Sequence, residues 1–327
     1  MSDQEVLTRD NSLLSRPTMG DFEGRKSSDL EPSSIVREYV KDAISDNTKR
    51  AYRSDLRHFC DWGGMIPSSD VMLADYLAHH AGIFSVATLV RRVASISKAH
   101  SAKGLSNPAR SELVKSTMRG IKRTHGHPQH RAKPLIKEDL FSVLTAMGDS
   151  MKDVRDRALL LVGFAGGFRR SELVKVNRID IEAVRQGMVI HIHRSKTDQE
   201  GVGRKVGIPH GRTRWCPVTA LNDWMENAGI EDGPVFRRVD RHGNLLDGRL
   251  SGEAVSLVIK ERVAAIGLAP DEYSGHSLRA GLATSAASAG VSSWKIRAQT
   301  GHASDAMLAR YIRDGELFVD NAAGVLL

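Results

Sequence analysis

The sequence predicts a mainly α-helical chain of the α+β class: a small all-helical domain, then a larger mixed α/β domain with a small β-sheet. Three observations lead there. Apolar residues recur at helical spacing through residues 34–124, with no strand-like alternation among them. A β-branched, alternating run at 188–193 stands among further helical patterns, with a candidate partner strand at 204–209. Between the two regions lies a basic stretch, RGIKRTHGHPQHRAK at 119–133, punctuated by Gly126 and Pro128. A length of 327 residues suits about two domains, and a 41% hydrophobic content can fill sizeable cores.

Residues 1–33 are polar, rich in Ser, Asp and Glu, and aperiodic, which reads as a flexible tail. Order begins near Ser34. A helix starts at Asn47-Thr48, carries Tyr52, Leu56, Phe59 and Cys60 on its apolar stripe, and ends at Gly63-Gly64. Helices follow at 71–80, at 85–101 with Leu89, Val93 and Ile96 on one side, and at 111–123. Residues 34–124 thus form the helical domain and 125–134 a basic linker. The stretch 119–133 holds five Lys or Arg, three His and no acid, which fits a solvated loop or, better, a phosphate-facing strap. The second domain is 135–327. Leu140, Val143, Leu144 and Met147 mark an amphipathic helix, and 156–166 reads as a buried one. After the strand at 188–193, a polar connection leads through 194–203 to the strand at 204–209. Helices are expected at 217–228, with Pro217 in the first turn, at 251–266, and at 277–289, stopped by Gly290. Shorter ones follow at 292–300 and 304–313, and a last helix at 315–326.

A net charge of +8 and a pI of about 9.6 favour a polyanionic partner, a bias that ribosomal and membrane-surface proteins share. Two cysteines, Cys60 and Cys216, indicate a reduced cytoplasmic protein without a disulfide framework. No Cys/His spacing resembles a zinc site. The longest apolar run, 158–167, is far too short to span a bilayer, and the charged N-terminus has no signal-peptide core. There is no G-x-x-x-x-G-K-[ST] loop and no acidic metal cluster, so neither nucleotide nor metal cofactor is expected.

The residues that can carry chemistry each have a bland explanation when taken singly. Arg169 follows Gly166-Gly167 at a helix start, where a guanidinium can fork onto a phosphate or simply be an exposed charge, and Arg170 competes with it. Glu172 suits a cap or an arginine partner. Lys196, straight after the strand, is either a solvated tip or a mobile proton donor. His276 and Arg279 lie three apart on one helical face, able to accept a proton and to neutralise a phosphate oxygen. His302 follows Gly301 and can add a hydrogen bond or cap a helix. Tyr311, with Leu308 and Ile312, fits an apolar helix face. As a nucleophile its phenol, with an ordinary pKa near ~10, needs a base and an electropositive pocket.

Taken together, these pieces resemble the tyrosine recombinase (phage integrase) family over about residues 34–327. Gly167 to Leu173 is similar to the family's first arginine box and implies that Arg169 rather than Arg170 is catalytic. Arg194-Ser195-Lys196-Thr197 resembles the β-hairpin lysine segment, His276-Ser277-Leu278-Arg279 the H-x-x-R box, and Gly301-His302 with Tyr311 nine residues later the final box. Ser274 to Ser277 and Tyr311-Ile312-Arg313 look most like Cre-like members, and the segment from Asn47 to Leu56 like Xer-like ones. The resemblance implies a helical domain and a catalytic domain forming a clamp around double-stranded DNA. It implies a site-specific recombinase that works through a 3′-phosphotyrosine and a Holliday junction, with no cofactor, on inverted-repeat sites. Arg169, Lys196, His276, Arg279, His302 and the nucleophile Tyr311 would form the site, supported by Glu172. Candidate DNA contacts are Lys49, Arg53, Arg91, Arg92, Lys122, Arg123, Arg131 and Lys133. A homo-tetramer joined by the C-terminal helix is the family expectation. The short polar segment ahead of the helical domain leaves no room for an arm-binding domain. A non-cleaving DNA-binding protein on the same scaffold, a telomere resolvase or a type IB topoisomerase-like enzyme are the alternatives.

Overall fold

The computed structural model describes residues 33–127, 131–193, 203–302 and 304–315, and the chain divides into two compact units, Met1–Gln129 and His130–Leu327. Among the described residues of the first unit five α-helices follow one another: α1 (Ser34–Asp42), α2 (Asp46–Asp61), α3 (Asp70–His79), α4 (Val86–Ala102) and α5 (Glu112–His125). A serine precedes each of them. Ser33, Ser45, Ser69, Ser85 and Ser111 accept from the backbone N–H three residues on, at 3.1–3.4 Å. Each such bond satisfies a first-turn amide that the helix cannot, worth ~1 kcal/mol. The helix read from Asn47 therefore begins one residue earlier, behind Ser45.

Phe59, Leu73, Tyr76, Leu77, Leu89, Ile96 and Val114 fill the core of this unit. Asp55 is buried with them, and its carboxylate accepts from Arg91 Nε at 2.9 Å, Arg91 Nη2 at 2.8 Å and Ser95 Oγ at 2.8 Å. Burial alone would raise the Asp55 pKa, but these donors hold it below the usual range. Two local expectations are corrected. Cys60 is exposed, because it sits one helical step (about 100°) around from the buried Phe59. Helix α5 runs on to His125, two residues past the expected end at Arg123 and one into the expected linker, with Met118 and Ile121 on its buried stripe. Helix α1, which the sequence pattern did not single out, forms although its Val36, Tyr39 and Val40 are exposed.

The second unit opens with α6 (Lys137–Thr145) and α7 (Met151–Ala165), the latter starting five residues before the expected 156 behind a Ser150/Asp153 capping box. A short helix, α8 (Arg170–Leu173), leads to a three-stranded antiparallel sheet, β1 (Ile181–Val184), β2 (Gly187–Ile192) and β3 (Arg204–Pro209), in that spatial order. Met188, Ile190 and Ile192 are buried on one face of β2, and Met188 and Ile190 pair in register with Ile208 and Val206 of β3. After α9 (Pro217–Asn227) comes a two-stranded hairpin, β4 (Arg237–Val239) and β5 (Leu245–Arg249). Then follow α10 (Gly252–Ala264), α11 (Ser277–Ser288), α12 (Ser293–Thr300) and α13 (Asp305–Gly315).

The core of this unit runs from Leu135 through α7 and the inner sheet face to Leu278 of α11. The small residues of α11 allow its approach: a Cβ at Gly281 would lie 1.8 Å from the Leu135 carbonyl oxygen. Asp156, fully buried on α7, is neutralised by Arg155 and by Arg262 of α10, whose Nε and Nη2 donate to it at 3.0 and 2.7 Å. The helix expected at 315–326 lies outside the described residues apart from Gly315, the last residue of α13, and so does the connection at 194–202.

Candidate active site

Four elements bring the chemistry together. The first is the turn after α7. Gly167 adopts φ +56°, a conformation that favours glycine, and sends the chain into α8 with Arg169 as its N-cap. Glu172 closes the cap. Its Oε2 accepts from the Arg169 backbone N–H at 3.1 Å and its Oε1 from Arg169 Nη1 at 2.5 Å. A third donor, Arg204 Nη2 on β3, reaches Oε2 at 3.0 Å. Glu172 is only 2% exposed, and burial would raise its pKa. The bonds from Arg169 and the charge of Arg204 outweigh that and hold the carboxyl below its ordinary value. The competing Arg170 turns away, to Glu253 at 2.9 Å and Ser256 at 3.1 Å.

The second element is α11. His276 is its N-cap residue and Arg279 lies one turn in. Arg279 is 1% exposed, and its Nη1 donates to the Gly167 carbonyl at 2.9 Å and to the Thr300 carbonyl. Burial first, then repulsion from Arg169, pulls its pKa down to about 10, so it keeps its charge at neutral pH. The third element is the α12–α13 turn. Gly301 at φ +67° ends α12 and places His302, 7% exposed, beside Thr300. Burial and the charges of Arg279 and Arg169 push the His302 pKa down to about 3.

The fourth element is α13. Tyr311 and Ile312 pack on Ala283, Ala287, Ile296 and Leu308, so the apolar-face reading of Tyr311 holds for its ring. Its hydroxyl nevertheless leaves that cluster and lies 3.0 Å from His276 Nε2. His276 keeps solvent exposure, yet partial desolvation of its ring in the pocket, followed by the charges of Arg279 and Arg169, lowers its pKa below 6.5, so the imidazole is mostly neutral at pH 7. Arg131, Arg169, His276, Arg279, His302, Arg310 and Tyr311 line one pocket of about 360 Å³. An electropositive recess with a phenol at hydrogen-bond distance from a neutral imidazole suits attack on a phosphate.

The structure thus gathers five of the six expected catalytic residues, with Glu172 beneath them, while Lys196 falls outside the described residues. Of the basic residues, Arg131 joins the pocket, and Lys133 binds Glu272 at 2.6 Å. In the first unit Arg53, Lys122 and Arg123 are exposed, and Lys49 pairs with Asp46 at 3.4 Å. Arg91 is held by Asp55. Arg92 is internal: its Nη1 donates to Tyr76 Oη at 2.7 Å, and its guanidinium lies 4.0 Å from the Phe84 ring centre. Sequence reasoning missed Arg204 and Thr300. A strand-initial arginine and a helix-terminal threonine carry no local signal of a site. Among the described residues no cluster of three or more His, Cys, Asp or Glu is placed to hold a metal, and no helix is long and apolar enough to cross a membrane.

Comparison with known proteins settles the lineage. The sequence profile of the phage integrase family matches residues 133–316. An integrase/recombinase XerD homolog of Selenomonas ruminantium is 38% identical over 288 residues, covering 85% of this chain and 84% of the relative. The chain belongs to the phage integrase family. Within that family the Cre recombinase of Escherichia phage P1 is 26% identical over 312 residues, 88% of each chain. Both the Xer-like and the Cre-like resemblance are therefore present. A lambda integrase tetramer bound to a Holliday junction shares the fold, with a TM-score of 0.61 at 18% identity over 88% of this chain and 79% of that one.

Proposed function

We propose that this family member breaks and rejoins double-stranded DNA at specific sites through a phosphotyrosine formed on Tyr311. The observation that carries the residue assignment is the 3.0 Å contact between the Tyr311 hydroxyl and His276 Nε2 beside two guanidinium groups, those of Arg169 and Arg279. His276 takes the phenolic proton as Tyr311 Oη attacks the scissile phosphorus. The bond from phosphorus to the 5′ oxygen breaks, leaving a 3′-phosphotyrosyl strand and a free 5′-hydroxyl. Arg169, Arg279 and His302 stabilise charge on the non-bridging oxygens, with Glu172 holding Arg169 in place. Lys196 gives the departing oxygen its proton. The covalent link conserves the energy of the bond, so attack by a partner strand's 5′-hydroxyl reverses the step without nucleotide. Two such exchanges make and resolve a Holliday junction.

In the same reading the protein acts as a homo-tetramer on two inverted-repeat sites, joined by its C-terminal segment. Lys49, Arg53, Arg91, Lys122, Arg123, Arg131 and Lys133 meet DNA phosphates, and the setting is the cytoplasm, on chromosomal, plasmid or phage DNA. Incubation with duplexes selected from a randomised pool, followed by proteolysis and mass spectrometry, tests the assignment. A nucleotide adduct on the Tyr311 peptide is the expected result. An adduct on another residue, or none with any selected duplex, would reject it.

A further inference from the structure

Thr300 serves two site residues at once. Its carbonyl accepts from Arg279, and its hydroxyl lies 2.7 Å from His302 Nδ1. The same hydroxyl donates to the Ile296 carbonyl, also at 2.7 Å, one turn back along α12. A hydroxyl has a single proton. Once that proton goes to Ile296, which can only accept, the bond to His302 requires the imidazole to be the donor. The proton of the neutral ring is thereby fixed on Nδ1. Thr300 is fully buried, so water does not compete for either bond.

The consequence lies at the other edge of the ring. His302 lines the pocket with Arg131, Arg169, His276, Arg279 and Arg310, and Arg204 adds its charge from β3. Among the described residues, Glu172 is the carboxylate bonded to Arg169 and Arg204, and the Tyr311 ring lies 6.0 Å from that of His302. Amid these cations His302 stays neutral, and what it offers beyond Thr300 is the lone pair of Nε2. A lone pair repels a phosphate oxygen, whereas an N–H attracts one.

We propose that Thr300 is a positioning residue whose hydroxyl locks His302 with its proton on Nδ1, so that His302 engages a bound phosphate only after taking up a proton from water at Nε2. The step balances: hydronium, or water releasing hydroxide, supplies the proton, the ring becomes an imidazolium, and the phosphate's negative charge compensates it. Binding of the anion and protonation of His302 are then one linked event. The proposal rests on the strand-transfer reading only in naming the phosphate as that of DNA.

The test uses the full-length protein with ¹⁵N-labelled histidine, inorganic phosphate as the probe, and His302→Gln to assign the signals. Near pH 7, without phosphate, His302 should show a protonated-type Nδ1 and an unprotonated-type Nε2. Thr300→Ser should keep that pattern, and Thr300→Val should lose it in favour of a mixture of the two tautomers, with the remaining histidine signals reporting an intact fold. Added phosphate should convert Nε2 to the protonated type in the parental protein. A parental His302 protonated at Nε2 without phosphate, a Thr300→Val pattern identical to the parental one, or an Nε2 signal indifferent to phosphate would overturn the inference. If instead the lock and the phosphate response are found but no selected duplex becomes linked to Tyr311, the strand-transfer reading fails and the lock stands.

Discussion

The hydroxyl of Tyr311 meets His276 Nε2 at 3.0 Å across 35 residues of chain. Neither residue owes its place to the other. Tyr311 is set by its ring, which packs with Leu308 and Ile312 on the alanines of α11, and His276 is set by heading that same helix. Helix packing therefore does the aligning before any substrate arrives, which is the pre-organisation that nucleophilic attack needs.

Replacing Tyr311 with Phe removes the proposed nucleophilic hydroxyl and its contact with His276 while keeping the ring in its alanine-lined seat. The variant should fold with an unchanged melting temperature, bind selected duplexes with parental affinity, and form no covalent complex on denaturing gels. Covalent trapping by Tyr311→Phe would show that another residue attacks.

The pH dependence follows from the depressed pKa of His276. A base works only when unprotonated, so cleavage should hold its rate from neutral pH down to about 6.5 and fall only as pH drops through the lowered value. Single-turnover cleavage of a nicked suicide duplex across pH 5–8 would show it. His276→Gln should cut the plateau rate by about 10²–10⁴-fold, the usual worth of a general base. An acid limb centred above pH 6.5 would remove His276 from that role.

Glu172→Gln leaves Arg169 and Arg204 around a neutral amide. Breaking a buried pair in this way costs about 3–5 kcal/mol, read as a fall in the denaturation midpoint. The sign of the pH effect is fixed by the lowered carboxyl pKa. The stabilisation is fully present above the unfolded value of about 4.5 and is lost as pH falls through the folded value. Parental protein and variant should therefore converge in stability in strong acid, and a gap that persists there would contradict the ion-pair account.

Much of this was legible in the chain. Helical spacing placed α2 to α5, α9 and α11 to within a few residues, alternation placed β2, and β3 was read as its candidate partner strand. The catalytic candidates were weak one by one, and it was their order that made them readable. What escaped has physical causes. β1, β4 and β5 are short and rich in charge, so IEAV, RRV and LLDGR carry no alternation to detect. Arg204 acts through bonds made only when β3 meets Glu172 and the end of α12, and Thr300 through a carbonyl that meets Arg279 of α11 and a hydroxyl that meets His302. Arg92 looked like its neighbour Arg91, yet one helical step carries it inside.

That last distinction separates two kinds of arginine and lysine in the helical unit. Arg92→Met should remove the donor to Tyr76 and part of the charge facing Asp55, costing about 2–4 kcal/mol in stability. Measured well below its melting temperature, the folded variant should keep the parental salt dependence of DNA binding, because a buried guanidinium displaces no counterions. Lys122→Ala should do the reverse. Its ammonium is exposed on α5, so stability should stay within about 0.5 kcal/mol. If it meets a phosphate, the slope of log affinity against log salt should fall by about one unit. Titrations at four or more salt concentrations, run beside thermal melts, would separate the two residues. A changed salt slope for Arg92→Met at unchanged stability would mean that Arg92 leaves its pocket to reach the DNA.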